Sequence, residues 1–311
     1  MTMVEHNDKG KAFSKITSFE FNGKEIDFTK PRVMGIMNIT PDSFYDGGKY
    51  FDDKTVRWED GVTVRRGEEE RWRKGIYGMV KEGAYILDIG AVSTRPGAAE
   101  VDLEEEKKRL LPVLKFARRE YPELIISVDT WREEIARMAA SEGADMINDV
   151  SGGTYDERMI RFVASSGVPY VMMHIQGTPV TMQKDPRYED VVIEVYHFLE
   201  LQCRKLKALG HHKLIVDPGF GFGKTVIHNY QLLNNLDRFQ EIGFPVMAGL
   251  SRKSMINRVL GTSPDEALNG TSVLNTIALL KRVDILRVHD VKEAVQAVRL
   301  VEQLQNKAAG G

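Results

Sequence analysis

From Val33 onward the chain repeats one pattern, in which a short β-prone apolar run ends in polar or glycine residues and is followed by a longer stretch with helical spacing. Eight such runs occur: Val33 to Met37, Tyr85 to Ile89, Leu124 to Val128, Asp145 to Ile147, Pro169 to Met173, Lys213 to Val216, Pro245 to Ala248 and Ile285 to Val288. Helical spacing fills the intervals, as in Glu68 to Lys81, Leu103 to Glu120, Glu133 to Ser141, Val191 to Leu209 and Asp265 to Lys281, and closes with Val291 to Leu304. A continuously apolar strand is buried on both faces, as in a parallel sheet, and eight βα units are the number that closes a barrel. The expected fold class is α/β, a (β/α)8 TIM barrel in which eight strands alternate with eight helices. An open doubly wound sheet is the structural alternative.

Two segments stand outside this rhythm. Ser18 to Phe28 alternates around Asn22-Gly23, a strong hairpin signal, and is expected to plug the N-terminal end of the barrel. Between Tyr50 and Glu68, β-prone residues flank Asp60-Gly61, which predicts a second hairpin on the first strand-to-helix loop; a charged extension of the first helix is the competing reading. No Pro- or Ser-rich linker divides the chain, and Gln176 to Tyr188 reads as one long loop. The expected organisation is an N-terminal extension over 1–17 and a single domain over 18–311.

Composition narrows the partners. Of 311 residues 42% are hydrophobic and 28% charged, and 43 basic side chains nearly balance 45 acidic ones, a net charge of −2 with no footprint for nucleic acid or an anionic membrane. No run approaches the ~20 apolar residues of a spanning helix, and the first residues lack the apolar core of a signal peptide, so a cytoplasmic location is expected. Cys203 is the single cysteine, which excludes an intrachain disulfide and a Cys-rich zinc site; it falls in a helical stretch and reads as structural.

In a barrel, function gathers at the C-terminal ends of the strands. Those ends carry Asn38 with Asp42, Asp88 with Ser93-Thr94-Arg95, Asp129, Asn148 with Asp149, His174 with Gln176, Asp217, Ser251 to Ser254, and Arg287 with His289. A lone Asp after a strand is commonly a helix cap, but eight such ends are hard to explain as eight caps. Asp129, Asn148 and Asp217 suit the edge of a donor-rich flat heterocycle, whereas Arg95, Arg287 and His289 suit phosphate oxygens or stacking. Asn38 offers an oxygen to a hard cation such as Mg2+, which keeps most of its ligands as water and substrate phosphate. The implied substrate is a polar heterocycle with a phosphorylated arm. The run Asp217 to Thr225 is not a P-loop, because Pro218 stands where the motif needs glycine. Its glycines are expected to let Phe220 and Phe222 wall a pocket, with packing alone sufficient for one of the two.

Several ordered motifs carry a resemblance. Met34 to Phe44 followed by Asp46-Gly47-Gly48, Asp88 to Gly97, Ser127 to Thr130, Ile147 to Asp149, Met173 to Gly177, Asp217 to Lys224, Gly249 to Ser254 and Arg287 to Asp290 together resemble the dihydropteroate synthase family, over nearly the whole span from Val33 to Asp290. The resemblance implies a transferase that joins 6-hydroxymethyl-7,8-dihydropterin pyrophosphate to 4-aminobenzoate, giving 7,8-dihydropteroate and pyrophosphate.

The resemblance also implies roles. Asn38, Arg95, Lys253 and His289 form the catalytic set, with Asn38 on Mg2+ and Arg95 and His289 on the departing pyrophosphate. Asp129, Asn148 and Asp217 fix the pterin, Lys253 donates to it and Arg287 covers one face, and Met173 is a further substrate-binding residue. Thr94, Pro96 and Phe222 line the arylamine slot, and Ser254, at a helix start with free backbone N–H groups, takes the carboxylate. Asp42, Phe44 and Asp46 belong to the first loop, and the family typically forms a homodimer through its last helices.

This chain departs from the family in reading Gly90-Ala91-Val92 where Gly-Gly-Glu is usual, and in a longer passage from Gly48 to Glu68. Two rivals share the pterin-edge residues: a barrel passing a methyl group from methyltetrahydrofolate to a corrinoid protein, and a silent pterin-binding protein. The first has no use for Arg95, His289 or the Asn38 cation position, and the second would have lost some of the catalytic set.

Overall fold

The computed structural model describes residues 5–6, 12–13, 15–40, 55–57, 63–92, 101–179 and 181–308, with side chains described over 15–40, 67–92, 101–179 and 181–305. Strands β1 (Glu5–His6) and β2 (Ala12–Phe13) pair antiparallel ahead of the hairpin formed by β3 (Ser18–Phe21) and β4 (Lys24–Asp27). At the hairpin tip both Asn22 (φ 50°) and Gly23 (φ 74°) are left-handed, the requirement of a two-residue primed turn. Strand β5 (Arg32–Asn38) opens the barrel, and a second hairpin follows in β6 (Thr55–Arg57) and β7 (Thr63–Arg65), with Thr55 opposite Arg65. Helix α1 (Arg66–Glu82) starts only after it, so the reading of this segment as a helix extension is corrected.

The remaining barrel strands are β8 (Ile86–Gly90), β9 (Ile125–Asp129), β10 (Met146–Asp149), β11 (Tyr170–Met173), β12 (Leu214–Asp217), β13 (Met247–Ala248) and β14 (Ile285–Val288). From β5 the sheet runs through β8, β9, β10 and β11 to β12 on one side and through β14 to β13 on the other, all parallel. A parallel bridge from Val216 to Val246 joins the two ends and closes the ring. This is the expected (β/α)8 barrel, and the open sheet is excluded.

Side chains alternate along a strand, so the barrel interior is built in layers. The lowest is apolar: Met34, Ile86, Ile125, Met146, Val171, Ile215, Met247 and Ile285, one per strand, pack with Phe19, Ile26 and Phe28 of the hairpin, which plugs this end as expected. Two residues further along the same strands stand Asp88, Ser127, Asn148, Met173, Asp217 and Arg287, and beyond them Asn38 and Asp129. The site therefore rests on a sealed hydrophobic floor.

The outer ring comprises α1, α2 (Leu103–Glu120), α3 (Glu133–Ser141), α4 (Glu157–Ser166), α5 (Val191–Ala208), α6 (Val226–Asn234), α7 (Ser254–Leu260), α8 (Leu268–Leu280) and α9 (Val291–Ala308). The described residues thus hold nine helices where eight were expected. The extra one arises between β13 and β14: left-handed Gly261 (φ 67°) ends α7, and a capping box at Ser263 and Glu266 makes a separate turn over Pro264–Glu266, so α8 begins at Leu268 and not at Asp265. Cys203 is buried in α5 with its sulfur 3.8 Å from that of Met172, and burial pushes its thiol up to about 12, so it is unreactive as expected.

Candidate active site

Arg287 is the centre of the polar layers. Its Nε donates to Asp88 Oδ2 at 2.7 Å and its Nη2 to Asp129 Oδ2 at 2.6 Å, tying β14 to β8 and β9. Asn148 Nδ2 adds a third bond to Asp88 at 3.0 Å. Burial alone would lower the Arg287 pKa, but the charges of Asp88 and Asp129 outweigh it and hold the guanidinium above its ordinary value. Burial lifts Asp129 to about 7 against the pull of Arg287, with nearby Asp88 adding to the rise. Sequence reading placed Asp88 at a strand end without a role; its pairing with Arg287, far away along the chain, appears only when the barrel closes.

Across the pocket Asp217 is buried, with Oδ1 accepting from Gly219 N at 2.8 Å. Burial raises its pKa, opposed first by the positive charge of Lys253. The Lys253 ammonium bonds to the Phe220 carbonyl and lies 4.8 Å from the Phe222 ring centroid; burial lowers it to about 8 against the attraction of Asp217. Asp217, Asn148 and Asp129 thus present two carboxylates and an amide around one opening, with a cation on either side. This is an arrangement for holding a flat ring that carries several N–H donors.

The loop after β12 is shaped by where backbone comes close to backbone. A Cβ on Gly219 (φ +74°) would lie 2.0 Å from the His174 carbonyl oxygen. Phe220 is fully buried in the main core, the packing role the sequence allowed for one of the two, whereas Phe222 packs at the barrel mouth with Val150, Met173, Ile175 and Met182. Lys224, unassigned in the sequence, is buried; its Nζ meets His174 Nδ1 at 3.0 Å, the His174 carbonyl at 3.2 Å and the Phe222 carbonyl at 2.9 Å. Burial, reinforced by Lys224, lowers His174 to about 2, so the ring is neutral and its Nδ1 accepts.

Some strand-end residues are structural. Asp149 accepts from Ser151 N and Oγ, each at 2.7 Å, from Gly153 N at 2.9 Å and from Tyr170 Oη at 2.6 Å, so it folds its own loop and is not available to a ligand. Gln176 closes the long loop by bonding Arg187 N and O at 2.9 and 2.7 Å. Asn38 and His289 are half-buried at the mouth, and Ser254 is exposed on a helix of seven residues. Thr94, Arg95 and Pro96, and Asp42, Phe44 and Asp46, lie outside the described residues. Where the family's second loop usually has Gly-Glu, Ala91 is buried and Val92 half-buried.

The closed barrel and this residue set define a pterin-binding barrel, and a family model described as pterin binding enzyme matches residues 34–289. Dihydropteroate synthase of Escherichia coli (strain K12) is 42% identical over 282 residues, covering 90% of this chain and 94% of that protein. The chain belongs to this pterin-binding family, among the dihydropteroate synthases. Among solved structures, dihydropteroate synthase of Xanthomonas albilineans with 4-aminobenzoic acid matches at TM-score 0.80 and 38% identity, covering 91% of this chain and 96% of that one. The same enzyme in complex with 7,8-dihydropteroate matches at TM-score 0.77 and 36% identity, covering 91% and 97%.

Proposed function

We propose the following division of labour for the family's reaction, in which 6-hydroxymethyl-7,8-dihydropterin pyrophosphate and 4-aminobenzoate give 7,8-dihydropteroate and pyrophosphate. The observation that carries it is the placement of Asp217, Asn148 and Asp129 at the C-terminal ends of three barrel strands above an apolar floor, with Arg287 bonded to Asp129 and the charges of Lys253 and Arg287 acting on Asp217. The ring's N–H groups donate to Asp217 and Asp129 and pair with Asn148, while Lys253 donates to a ring acceptor and Met173 packs against it. Arg287, fixed by Asp88 and Asp129, covers one face. The bond from the pterin methylene to pyrophosphate oxygen breaks with its electron pair leaving on oxygen, and His289 and Arg95 stabilise that anion. The amine lone pair of 4-aminobenzoate then closes the new C–N bond and a proton departs to solvent. Its carboxylate reaches the Ser254 hydroxyl, Thr94, Pro96 and Phe222 serve the arylamine, and Asp42, Phe44 and Asp46 are assigned to the first loop.

A Mg2+ ion fits the donors present. A Cβ on Gly90 would meet Asp129 Cβ at 3.4 Å, Asn38 Oδ1 at 3.5 Å and Asp129 Oδ2 at 3.7 Å, so the missing side chain leaves space beside the Asn38 amide oxygen. Among the described residues no group of three His, Cys, Asp or Glu could cage a metal. A single amide oxygen suits a cation that takes its other ligands from water and pyrophosphate, whose charge it neutralises when bound.

The enzyme works as a homodimer in a reducing cytoplasm. Val273, Ile277 and Leu280 form an exposed apolar face on α8, beside Leu300 and Leu304 on α9, and a second copy would cover them. No helix among the described residues is long and apolar enough to cross a membrane.

Pyrophosphate release from the pterin substrate, assayed with and without 4-aminobenzoate, tests the reading. Release that depends on the arylamine is expected. Methyl transfer from methyltetrahydrofolate, or pterin binding without turnover, would select one of the two rivals instead.

A further inference from the structure

Two loops of the site are joined by bonds that the reaction as described does not use. The backbone N–H of His289 donates to Ser251 Oγ at 3.2 Å, and that oxygen lies 3.1 Å from His289 Nδ1. One residue further along both loops, Arg252 grips Asp290 with two bonds, Nε to Oδ2 at 3.0 Å and Nη2 to Oδ1 at 2.7 Å.

The backbone of Arg252 supports a special role. Three non-glycine residues among those described have positive φ: Asn22 at the hairpin tip, Arg282 just after α8, and Arg252, at 55°, beside Lys253. L side chains other than Asn and Asp rarely adopt this conformation, and it persists where the surroundings over-determine it. Here they do. Arg252 N donates to Thr271 Oγ1 on α8 at 3.0 Å, and Nη1 donates to the Pro264 carbonyl at 3.0 Å, in addition to the grip on Asp290. The reversed backbone lets Arg252 reach across to the β14 loop while its neighbour Lys253 bonds to the Phe220 carbonyl.

We propose that this two-rung bridge is a spacing device: Ser251, Arg252 and Asp290 are positioning residues that set the distance from Lys253, which serves the pterin, to His289, which serves the pyrophosphate. The inference rests on the roles assigned above to Lys253 and His289. A substrate carrying both groups on one methylene gains from binding at two subsites only when they are correctly spaced. Each fragment alone tolerates a shift of one loop against the other.

The test uses the full chain and the variants R252N, D290N and R252N/D290N. Asparagine tolerates positive φ at 252 and keeps the side-chain shape at 290, so the ion pair is removed with little change in backbone preference. Each single variant is expected to lower kcat/KM for the pterin pyrophosphate about tenfold or more, and the double variant to be no worse than the more impaired single, since both changes cut one link. Calorimetric Kd values for 6-hydroxymethylpterin alone, and for inorganic pyrophosphate with Mg2+, should stay within about threefold of the unmodified enzyme, because each fragment needs only its own loop.

Parallel loss of both fragments would show general damage to the site and overturn the proposal. Unchanged kcat/KM, or single effects that multiply in the double variant, would overturn it as well. H289A serves as the reference: if it leaves pyrophosphate affinity and turnover intact, the histidine is not in the anion site and the inference falls with that assignment, a result distinct from a failure of the bridge variants alone.

Discussion

Replacing Arg287 by Met would remove the guanidinium while keeping an unbranched side chain of similar reach. In the native site its Nη2 lies 2.7 Å from Asp88 Oδ2 and 2.6 Å from Asp129 Oδ2, and the side chains of Asp88, Asp129 and Arg287 are 0%, 12% and 16% exposed. Two carboxylates are therefore held together by one cation, largely out of water. Breaking a buried pair by removing one partner costs about 3–5 kcal/mol. Part of that cost is relieved if one carboxyl takes up a proton, and the candidate is Asp129, which burial already lifts to about 7.

The pH dependence follows from the sign of that shift. A carboxyl whose folded pKa is raised contributes stability that is present below its unfolded pKa and lost as pH rises through the folded one. In the native enzyme this loss is complete a little above pH 7. Without Arg287 the folded pKa rises further, so the variant continues to lose stability where the native enzyme has levelled off, by at most about 1.4 kcal/mol per pH unit. The pH-dependent part of the difference should be small at pH 6 and should reach about 1.4 kcal/mol at pH 8 and about 3 kcal/mol at pH 9. Urea unfolding of both proteins at pH 6, 7, 8 and 9 measures it, and groups that titrate alike in both cancel in the difference. A difference independent of pH, or one below about 1 kcal/mol at pH 8, would refute the view that this guanidinium holds the carboxylates together.

His289→Ala should lower kcat by about 10²-fold, the scale of losing one preorganised anion donor, with the KM for 4-aminobenzoate little changed in steady-state assays. Gly219→Ala should cost at least about 2 kcal/mol in thermal unfolding, because the new Cβ would meet the His174 carbonyl in addition to the left-handed backbone penalty. Gly23→Ala, with the same φ of +74° but nothing within 4 Å of the new Cβ, should cost only about 1 kcal/mol; equal losses at the two glycines would show that the close approach does not matter.

The strands were legible because burial on both faces makes each run predominantly apolar, and Ile285–Val288 is bounded as the pattern implies. Helices α2 and α3 also match their expected ranges, whereas the turn at Pro264 is hidden inside a run that keeps helical spacing to Lys281. At the site, position at the C-terminal ends of the strands identified Asp129, Asn148 and Asp217. It could not identify what each polar group bonds to: Asp88 meets Arg287 only because β14 closes beside β5, and Asp149 is consumed by its own turn. Lys224 carried no role in the sequence, and only the fold shows it buried under the loop it belongs to. Phe220 and Phe222 stand two residues apart in one motif, and only the fold sends the first into the core and the second to the pocket.

Everything proposed for the site depends on Asp217, with Asn148 and Asp129, holding the pterin ring above the apolar floor. Calorimetric titration of 6-hydroxymethylpterin into the native enzyme and into Asp217→Asn tests it directly, since the substitution keeps the shape and turns an acceptor into a donor facing the ring's own donors. A loss of about 2–4 kcal/mol in binding free energy, roughly 30- to 1,000-fold in Kd, is the predicted result. Equal affinity in the two proteins, with the variant folded, would place the pterin elsewhere and contradict the account.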